Sequence, residues 1–316
     1  MTVRVGLVGA GAVGTRHARA LAAFPDAEVV AVADPHRDAA DALAAELGVP
    51  AHDGHDALID GHDLDALYVC VPPFAHGPPE RAAIDAGLPF FVEKPIALDV
   101  AAAEEVARLV RERGLLTSTG YHWRHLDTVQ AARELAADRP PRLVLAYWLD
   151  KVPPPAWWVR RDRSGGQTVE QTTHVLDLVR VLAGEVEDVH ARTSTSAPGD
   201  FPDADVPDVS VATLSFESGA LGSIFSTCLL AAKLRAGVEV FCEGLALELS
   251  ETELVVNDGG ERRVLEASTD ARSAADRAFV DAVQGHSSRV LVDYEEALRT
   301  HRLACAVAGA GSDGGT

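Results

Sequence analysis

One lysine occupies a position where it could take part in catalysis. Lys94 follows a short apolar run over residues 89–92 and lies between Glu93 and Pro95. If that run is a buried strand, Lys94 lies at its carboxyl end, where open α/β sheets bind their ligands. A lysine ammonium there can hold a hydroxyl oxygen and stabilise negative charge that develops on it. The alternative is a surface lysine paired with Glu93, but Glu-Lys-Pro directly after a buried run favours a functional lysine.

A second candidate group lies in the segment E-Q-T-T-H-V-L-D, which contains Glu170, His174 and Asp177. On an α-helix these residues are spaced i, i+4 and i+7 and share one face. A carboxylate one turn from a histidine can fix the imidazole tautomer and raise its basicity, as a general base near neutral pH requires. The alternative is a helix N-terminus with an acidic residue in its first turn and a partly buried histidine.

A glycine-rich segment near the N-terminus could bind a dinucleotide. An apolar run over residues 3–8 is followed by Gly9, Gly11 and Gly14 in the spacing G-x-G-x-x-G. The first glycine permits a tight turn, the second lets the backbone approach a pyrophosphate, and the third allows close packing of helix on strand. The helix predicted to begin at Ala12 would present its free N–H groups to the phosphates.

An acidic residue stands at the distance from this motif that a dinucleotide site requires. Asp34 ends a second apolar run, 29–33, about twenty residues after Gly14. A carboxylate there can accept hydrogen bonds from both ribose hydroxyls and repels a 2′-phosphate, so NAD is favoured over NADP. Arg37, three residues later, leaves NADP binding open.

The elements around these groups predict an α/β protein with two domains. Up to about residue 120, strand-like runs alternate with helices, which predicts right-handed crossovers and a doubly wound parallel sheet of the Rossmann type. From 186 to 265 the chain is mostly β with glycine-containing turns, which indicates an open, mostly antiparallel sheet. We therefore predict a dinucleotide-binding domain at 1–121 and an α/β domain for substrate binding and oligomerisation at 122–316. Because an open sheet must cover its far face, a homo-oligomer (dimer or tetramer) is expected.

Composition and charge argue against several classes of function. A net charge of −20 leaves little room for a basic patch and argues against binding to nucleic acid or to an anionic membrane. No apolar run is long enough to span a bilayer, and the first strand begins too early for a signal peptide. The four cysteines lie far apart without C-x-x-C pairs, and Cys70 and Cys242 lie inside strand-like runs, which indicates buried thiols in a protein of the cytoplasm.

Two histidine-containing segments raise the question of a metal site. His52, His55 and His62 lie among aspartates, and both residue types bind metal ions. Nothing in the sequence fixes their spacing or supplies partners for the ligands, so a solvated loop with a short helix is favoured. His122 and His125 are also spaced like ligands, but solvent-facing structural roles are favoured there. No metal is predicted.

Together, these motifs resemble the glucose–fructose oxidoreductase, inositol dehydrogenase and rhizopine catabolism family, the Gfo/Idh/MocA oxidoreductases. The resemblance covers nearly the whole chain and is carried by G-A-G-A-V-G at 9–14, P-P-F-A-H at 72–76, Glu-Lys-Pro at 93–95, G-Y-H-W-R at 120–124 and the helical segment at 165–177. It implies a Rossmann domain, a C-terminal α/β domain with an open antiparallel sheet, and hydride transfer between a nicotinamide cofactor and a sugar or polyol.

The resemblance also implies roles for individual residues. In such enzymes the lysine of Glu-Lys-Pro and the histidine of Asp-x-x-x-His form the catalytic pair, which would be Lys94 and His174 here. The usual aspartate of that motif is Glu170 in this chain, one methylene longer, which puts the geometry of the pair in question. The predicted cofactor-binding residues are Gly9, Gly11, Ala12, Val13, Gly14, Asp34, Arg37, Pro72, His76 and Glu93.

The candidate sugar-binding residues are Tyr121, Arg124, Trp158 and Asp177, with Trp157 beside them. Aromatic faces stack on the C–H surfaces of sugars, and Arg and Asp side chains bind hydroxyls. The Trp157–Trp158 pair could equally anchor the proline-rich loop around it by packing.

The sequence leaves three functions open on this fold. The first is an NAD-dependent dehydrogenase in which His174 takes the proton of a secondary alcohol, Lys94 binds the same oxygen and Glu170 orients the imidazole. The second is a non-catalytic regulator that binds a dinucleotide and a sugar. The third is an NAD-dependent glycoside-processing enzyme that oxidises and re-reduces its sugar without net formation of NADH. Intact Lys94 and His174 favour an enzyme over a regulator.

Overall fold

The structure is a computed structural model that describes residues 2–196, 201, 203–286 and 290–309. The described residues form two compact units. Those within 1–122 and 271–298 make up the first unit, and those within 123–270 and 299–316 make up the second. The first unit therefore includes a C-terminal segment that lies beyond the predicted boundary at residue 121. The division into a dinucleotide-binding domain at 1–121 and a substrate-binding domain at 122–316 stays a prediction.

The described part of the first unit is built on a sheet of six parallel strands. The strands are β1 (Val3–Val8), β2 (Ala27–Ala33), β3 (Ala51–His52), β4 (Ala66–Val69), β5 (Phe90–Val92) and β6 (Thr117–Thr119). The helices between them are α1 (Ala12–Ala22), α2 (Arg37–Leu47), α3 (His55–Gly61), α4 (Pro78–Asp85) and α5 (Val100–Arg113). The strand order is β3-β2-β1-β4-β5-β6, all pairs parallel. This is the doubly wound Rossmann arrangement, as predicted.

The remaining elements follow in chain order. The helices are α6 (Asp127–Ala136), α7 (Arg161–Ser164), α8 (Thr173–Ala183), α9 (Ala271–Val283) and α10 (Tyr294–Gly309). The strands are β7 (Leu143–Leu149), β8 (Val186–Ser194), β9 (Val209–Phe216), β10 (Leu221–Thr227), β11 (Arg235–Cys242), β12 (Leu245–Leu249), β13 (Glu253–Asp258) and β14 (Glu261–Glu266).

The core of the first unit explains its apolar strands. β4 and β5 are fully buried because helices cover both faces of a parallel sheet. Tyr68 of β4 and Phe91 of β5 stack with ring centroids 4.8 Å apart. Phe279 of α9 meets these rings edge-on at 5.6 and 5.9 Å, and α9 also packs against α1. α9 therefore completes the core of the first unit.

The second unit has one mixed sheet with the order β14-β13-β12-β11-β7-β10-β9-β8. Neighbouring strands are antiparallel except β7 and β10, which run parallel. The predicted open, mostly antiparallel sheet is confirmed. β7 lies between β10 and β11, so the strand order does not simply follow the chain.

The two faces of this sheet differ in what covers them. α8 packs against β7 and β11, and Val144, Ala146 and Trp148 of β7 are buried. On β9 and β10, Val211 and Phe225 are cross-strand partners, and each is 41% exposed. The sheet therefore has one covered face and an apolar patch on exposed positions of β9 and β10.

The cysteines only partly follow the expectation of buried thiols. All four lie among the described residues and are free. Cys70 and Cys228 are buried, whereas Cys242 of β11 and Cys305 of α10 are partly exposed. Among the described residues, no helix combines the length and the apolar character needed to cross a bilayer.

Candidate active site

The glycine turn between β1 and α1 has the backbone geometry of a phosphate-binding loop. Gly9 has a φ of +101°, and a Cβ there would clash with a carbonyl oxygen of the segment after β4. A Cβ on Gly14 would clash with the Gly9 carbonyl oxygen, whereas Gly11 faces open space. Ala12 and Val13 are exposed at the start of α1 beside that space. The turn therefore fits a bound pyrophosphate.

Asp34 lies directly after β2 and is fixed by two backbone N–H groups. One carboxylate oxygen accepts the Ala10 N–H at 2.8 Å, and the other accepts the His36 N–H at 2.8 Å. A carboxylate has about four lone-pair sites, so both oxygens can still accept ribose hydroxyls. Because Ala10 belongs to the glycine turn, Asp34 also joins that turn to the end of β2.

Arg37, the residue that left NADP binding open, has two acidic partners. Its Nε donates to Asp41 at 2.9 Å, and its Nη1 donates to Asp53 at 3.1 Å. These carboxylates neutralise the guanidinium and compete with a 2′-phosphate for its N–H groups. The local charge therefore favours NAD, in agreement with Asp34.

Replacing Asp34 by serine should shift cofactor preference toward NADP⁺. The variant loses the charge that opposes a 2′-phosphate and the hydrogen bonds offered to the ribose. Hydrogen bonds to a charged group contribute about 1.5–3 kcal/mol, roughly ten- to a hundredfold in affinity for NAD⁺. We expect the ratio of kcat/KM for NADP⁺ to that for NAD⁺ to rise at least about tenfold. Asp38→Ser, an exposed change in α2, is the control, and an unchanged ratio in Asp34→Ser would remove Asp34 from the cofactor site.

Lys94 follows β5 and Glu93 at the carboxyl edge of the first sheet, where the sequence predicted it. The Lys94–Pro95 peptide is cis. Glu93 is buried; its Oε2 accepts the Lys94 N–H at 3.0 Å, and its Oε1 is 2.9 Å from Nε2 of His17. A Cβ on Gly120 would lie 2.6 Å from the Glu93 carboxyl group. The carboxylate predicted to bind the cofactor is thus enclosed by these protein groups.

The P-P-F-A-H segment follows β4 and includes a 3₁₀ turn over Pro73–Ala75. Pro72 is partly exposed, but the side chain of His76 is fully buried. Nδ1 of His76 lies 2.5 Å from Glu80 Oε1, and Glu80 Oε2 accepts the Gly77 N–H at 2.6 Å. The imidazole therefore fixes the segment to the start of α4. Cofactor binding by Pro72 and His76 stays a prediction.

His174 lies in the first turn of α8, after a π-helical turn over Thr168–Thr172. Its imidazole is nearly parallel to the indoles of Trp123 and Trp148, with ring centroids 6.2 and 5.9 Å away. The residue is only 6% exposed. Two aromatic rings therefore limit the orientations open to the imidazole.

The surroundings of this histidine were not predicted from the sequence. Trp148 points to the buried face of β7, its Nε1 donates to Asp150 at 3.3 Å, and Nζ of Lys233 lies 4.5 Å from the centre of its ring. The available signals were the alternation of β7, which points Trp148 toward the core, and Trp123 within the G-Y-H-W-R motif. The pairing of the two indoles with His174 depends on tertiary packing.

The spacing of Glu170 and His174 predicted that Glu170 lies in the first turn of an α-helix. In the structure Glu170 lies in the π turn instead. The α-helix begins at Thr173, so the predicted helix start at Glu170 is wrong. A π turn contains one more residue than an α turn, which changes the angular relation between Glu170 and His174. Glu170 Oε2 accepts the Trp158 Nε1–H at 2.9 Å. Its role in orienting His174 stays a prediction.

Two aromatic residues predicted to line a sugar site are buried in apolar clusters. Trp158 is 1% exposed and packs with Val159, Val206 and Cys228. This position corresponds to the alternative in which the tryptophan anchors its loop by packing. Tyr121 is also 1% exposed and belongs to the apolar core of the first unit.

Arg124 and Asp177, also predicted as sugar ligands, bind each other. Nε and Nη2 of Arg124 donate to the two carboxylate oxygens at 2.6 Å each. The Thr300 hydroxyl donates to Asp177 Oδ1 at 2.7 Å, and Nη1 of Arg180 donates to Thr300 Oγ1 at 2.7 Å. Asp177 is buried. The carboxylate therefore joins α8 to α10 and to the segment before α6.

The histidine segments form no ligand cluster in the part of the chain that the structure describes, where no group of three or more His, Cys, Asp or Glu could hold a metal ion. Nε2 of His52 lies 2.9 Å from Nε2 of His62, and His55 begins the predicted short helix. His122 is buried, so its predicted solvent-facing position is wrong; His125 is partly exposed.

Two family models match the chain. The first describes an oxidoreductase family with an NAD-binding Rossmann fold and matches residues 3–121. The second describes the GFO/IDH/MocA C-terminal domain and matches residues 138–248. Each match lies on one of the two sheets described above.

Curated relatives and solved structures agree with these models. The myo-inositol 2-dehydrogenase of Thermotoga maritima is 30% identical over 227 residues, which cover 70% of this chain and 67% of that protein. The inositol 2-dehydrogenase of Rhizobium meliloti is 33% identical over 222 residues, 68% and 66% of the two chains. Levoglucosan dehydrogenase, solved with NADH and levoglucosan, shares the fold with a TM-score of 0.87 at 20% identity, over 99% of this chain and 98% of that one. With a glycine turn fit for a dinucleotide, the chain is an NAD-binding oxidoreductase that belongs to the Gfo/Idh/MocA family.

Proposed function

We propose that the protein is an NAD-dependent dehydrogenase that transfers hydride between the nicotinamide and a secondary alcohol or ketone of a sugar or polyol. One observation carries the proposal. The glycine turn after β1, Asp34 after β2 and Lys94 beyond β5 all lie at the carboxyl edge of one parallel sheet. Since ligands of such sheets bind at this edge, the cofactor and the lysine ammonium share one region of the first unit.

The relatives support a polyhydroxylated substrate. By their names, two of them act on inositols, and a protein of the same fold was solved with levoglucosan. Both molecules are rings with several secondary alcohols. For the present chain we propose this class of substrate and do not single out one compound.

His174 and Lys94 have different roles in the proposed reaction. When bound, NAD⁺ supplies the acceptor for the hydride that leaves the alcohol carbon. An imidazole nitrogen of His174 takes the hydroxyl proton as the C–O bond becomes a carbonyl. The Lys94 ammonium donates a hydrogen bond to the same oxygen and stabilises its developing negative charge. Ketone reduction is the reverse and begins with His174 protonated.

The indoles around His174 suit this role. When the imidazole takes a proton, its positive charge lies about 6 Å from the centres of two aromatic faces, where a cation is attracted. The same rings restrict the orientation of the imidazole before the proton moves. Glu170 is the residue that we propose to orient it further.

We also propose that a second copy of the chain covers the exposed face of the second sheet. Val211 and Phe225 are adjacent there, and Tyr147 lies beside Phe225 on the neighbouring strand β7. Leu221 of β10 is 60% exposed. A patch of this composition on a monomer is typical of an interface between subunits.

The cytoplasm is the compartment that we propose for the protein. Its four cysteines are free, as expected where glutathione keeps thiols reduced. The Cys242 and Cys305 thiols are partly exposed and would be open to oxidation in an oxidising compartment.

The test is reduction of NAD⁺ with a panel of myo-inositol, scyllo-inositol, levoglucosan and D-glucose, with L-sorbose and NADH for the reverse direction. NADH is followed by absorbance and the sugar product by mass spectrometry. We expect NADH and a product two hydrogens lighter with at least one alcohol. Binding of NAD⁺ and sugar without turnover would support the regulator, and a cleaved or rearranged sugar without net NADH would support the glycoside-processing enzyme.

A further inference from the structure

A buried histidine joins three segments of the first unit. His17 of α1 is 2% exposed, and its Nε2 lies 2.9 Å from Oε1 of Glu93. Its Nδ1 lies 2.6 Å from Oδ1 of Asp276 in α9. A neutral imidazole has one N–H and can donate to only one of these carboxylates when both are ionised. Donation to both at once requires the protonated imidazolium.

The charges around His17 favour that protonated form. Burial opposes a charged imidazole, but the hydrogen bonds and negative charges of Asp276 and Glu93 outweigh it and raise the pKa of His17 to about 9. Burial also opposes ionisation of Glu93, yet His17, followed by Lys94 and Arg16, lowers the pKa of Glu93 to about 2. Burial raises the pKa of Asp276.

The other groups packed around His17 do not supply a competing charge near neutral pH. The rings of Tyr68 and Phe91 lie 5.6 and 5.0 Å from the imidazole. Burial raises the pKa of the Tyr68 hydroxyl and of the Cys70 thiol well above their ordinary values. Arg277, next to Asp276 in the chain, donates to Asp26 at 2.6 Å. The imidazolium and its two carboxylates are therefore the charges that decide the state of the cluster, with Arg16 at its exposed side, 3.6 Å from Glu93.

Glu93 connects this cluster to the backbone of Lys94. One of its carboxylate oxygens faces His17, and the other accepts the Lys94 N–H at 3.0 Å. The carboxyl group also lies against Gly120, at a distance that leaves no room for a Cβ. A shift of the carboxylate would therefore weaken its hydrogen bond with the Lys94 N–H, which holds the backbone of Lys94 in place.

We propose that His17 is a positioning residue for Lys94: as an imidazolium it holds the Glu93 carboxylate against the Lys94 backbone N–H and ties this support to Asp276 of α9. The proposal rests on the proposed function, in which Lys94 binds the reacting oxygen. A neutral imidazole could hold only one of the two carboxylates, and the other would lose its buried partner.

The direction of the pH effect follows from the pKa shift. The pKa of His17 is raised from 6.5 to about 9 in the folded protein. Its contribution to stability is therefore complete below pH 6.5 and is lost as the pH rises through about 9. We expect kcat to fall over the same alkaline range as the support of Lys94 is lost.

The test compares His17→Gln, Asp276→Asn and the double variant in steady-state assays with NAD⁺ and myo-inositol, or with the panel member that shows turnover. A misplaced catalytic group can cost about 10²-fold in rate, so we expect kcat of His17→Gln to fall roughly that far. The KM for NAD⁺ should stay within about threefold. In Asp276→Asn the alkaline fall of kcat should move about one pH unit lower, because a partner that raises the pKa of His17 is lost. In the His17→Gln background, Asp276→Asn should add little.

A direct measurement separates this proposal from the proposed function. NMR of the histidine-labelled wild-type protein with NAD⁺ should find the His17 imidazole protonated at pH 8. This result depends neither on turnover nor on the correct folding of a variant. His190→Gln, an exposed change in β8, is the control that should leave rate and pH profile unchanged. A neutral His17 at pH 8, an unshifted profile in Asp276→Asn, or a kcat of His17→Gln within about threefold of wild type would each overturn the proposal. Absence of turnover across the panel would count against the proposed function alone.

Discussion

Replacing Lys94 by alanine is expected to lower kcat about 10³-fold while the affinity for NAD⁺ stays within a few fold. Removing a single hydrogen-bond donor to a developing oxyanion typically costs 10²–10³ in rate, and in the proposed reaction Lys94 also places a positive charge at that oxygen. In the proposed site the glycine turn and Asp34 bind the cofactor, and neither depends on the ammonium. Initial rates of NADH formation give kcat, and the fluorescence of added NADH gives the affinity.

Two further variants make this prediction specific. Lys94→Arg should restore little activity, because a planar guanidinium replaces a compact ammonium. Arginine is far more common than lysine in this chain, whose only other lysines are Lys151 and Lys233. Arg108→Ala removes the same charge from the exposed surface of α5 and should leave kcat unchanged. Turnover by Lys94→Ala within tenfold of wild type would contradict the assignment.

His174→Asn is measured in the same assays of kcat and NADH affinity and tests the proposed general base. Loss of a general base costs 10²–10⁴ in rate, and asparagine keeps a polar side chain between the indoles. We expect the variant to lose the pH dependence that protonation of the imidazole imposes on kcat, with NADH binding retained. Turnover with an unchanged pH profile would exclude His174 as the base.

The parts of the fold that the sequence predicted well are those set by neighbours in the chain. The bounds of α5 follow from Asp99, whose carboxylate accepts the Ala102 N–H at 2.9 Å, and from Gly114 with a φ of +62°. The glycine turn was predictable for the same reason. Gly9 has a φ of +101°, and a Cβ on Gly14 would clash with the carbonyl oxygen of Gly9 five residues earlier, so the spacing of these two glycines along the chain is informative.

The parts that the sequence did not predict depend on partners distant in the chain. His17 and Asp276 are 259 positions apart, and Asp177 and Thr300 are 123 apart. No local period relates such residues. A charged residue on the polar side of a predicted helix therefore looks like a ligand for a substrate, whereas its burial beside a charged partner, which favours a structural role, is visible only in the structure.

The helix of His174 shows a different limit. Its residues were placed by the α-helical period, which assumes a regular helix from Glu170 onward. The π turn at 168–172 breaks that period at the residues that matter for the site. π turns often occur at functional sites, but no residue type marks them in a single sequence.

The largest loss of stability is expected from Asp177→Ala. The change leaves the Arg124 guanidinium inside the second unit without its carboxylate and removes the acceptor of the Thr300 hydroxyl. Breaking a buried ion pair by removing one partner costs about 3–5 kcal/mol. For a protein of this size the melting temperature should fall by roughly 10 °C. Asp41→Ala, which breaks the exposed pair with Arg37, should leave the melting temperature nearly unchanged and is the control.

A double variant then decides between the structural and the sugar-binding role of this pair. Replacing a buried ion pair by apolar residues of similar volume is often neutral, so Arg124→Met with Asp177→Leu should recover most of the lost melting temperature. If the pair is structural, the recovered protein also keeps its KM for the sugar. If Arg124 and Asp177 bind the sugar, as the sequence predicts, KM rises at least about tenfold in a protein that melts normally, because two hydrogen-bonding groups of the site are gone. The double variant is expected to melt normally in both cases, so the KM for the sugar distinguishes the two roles in a folded protein.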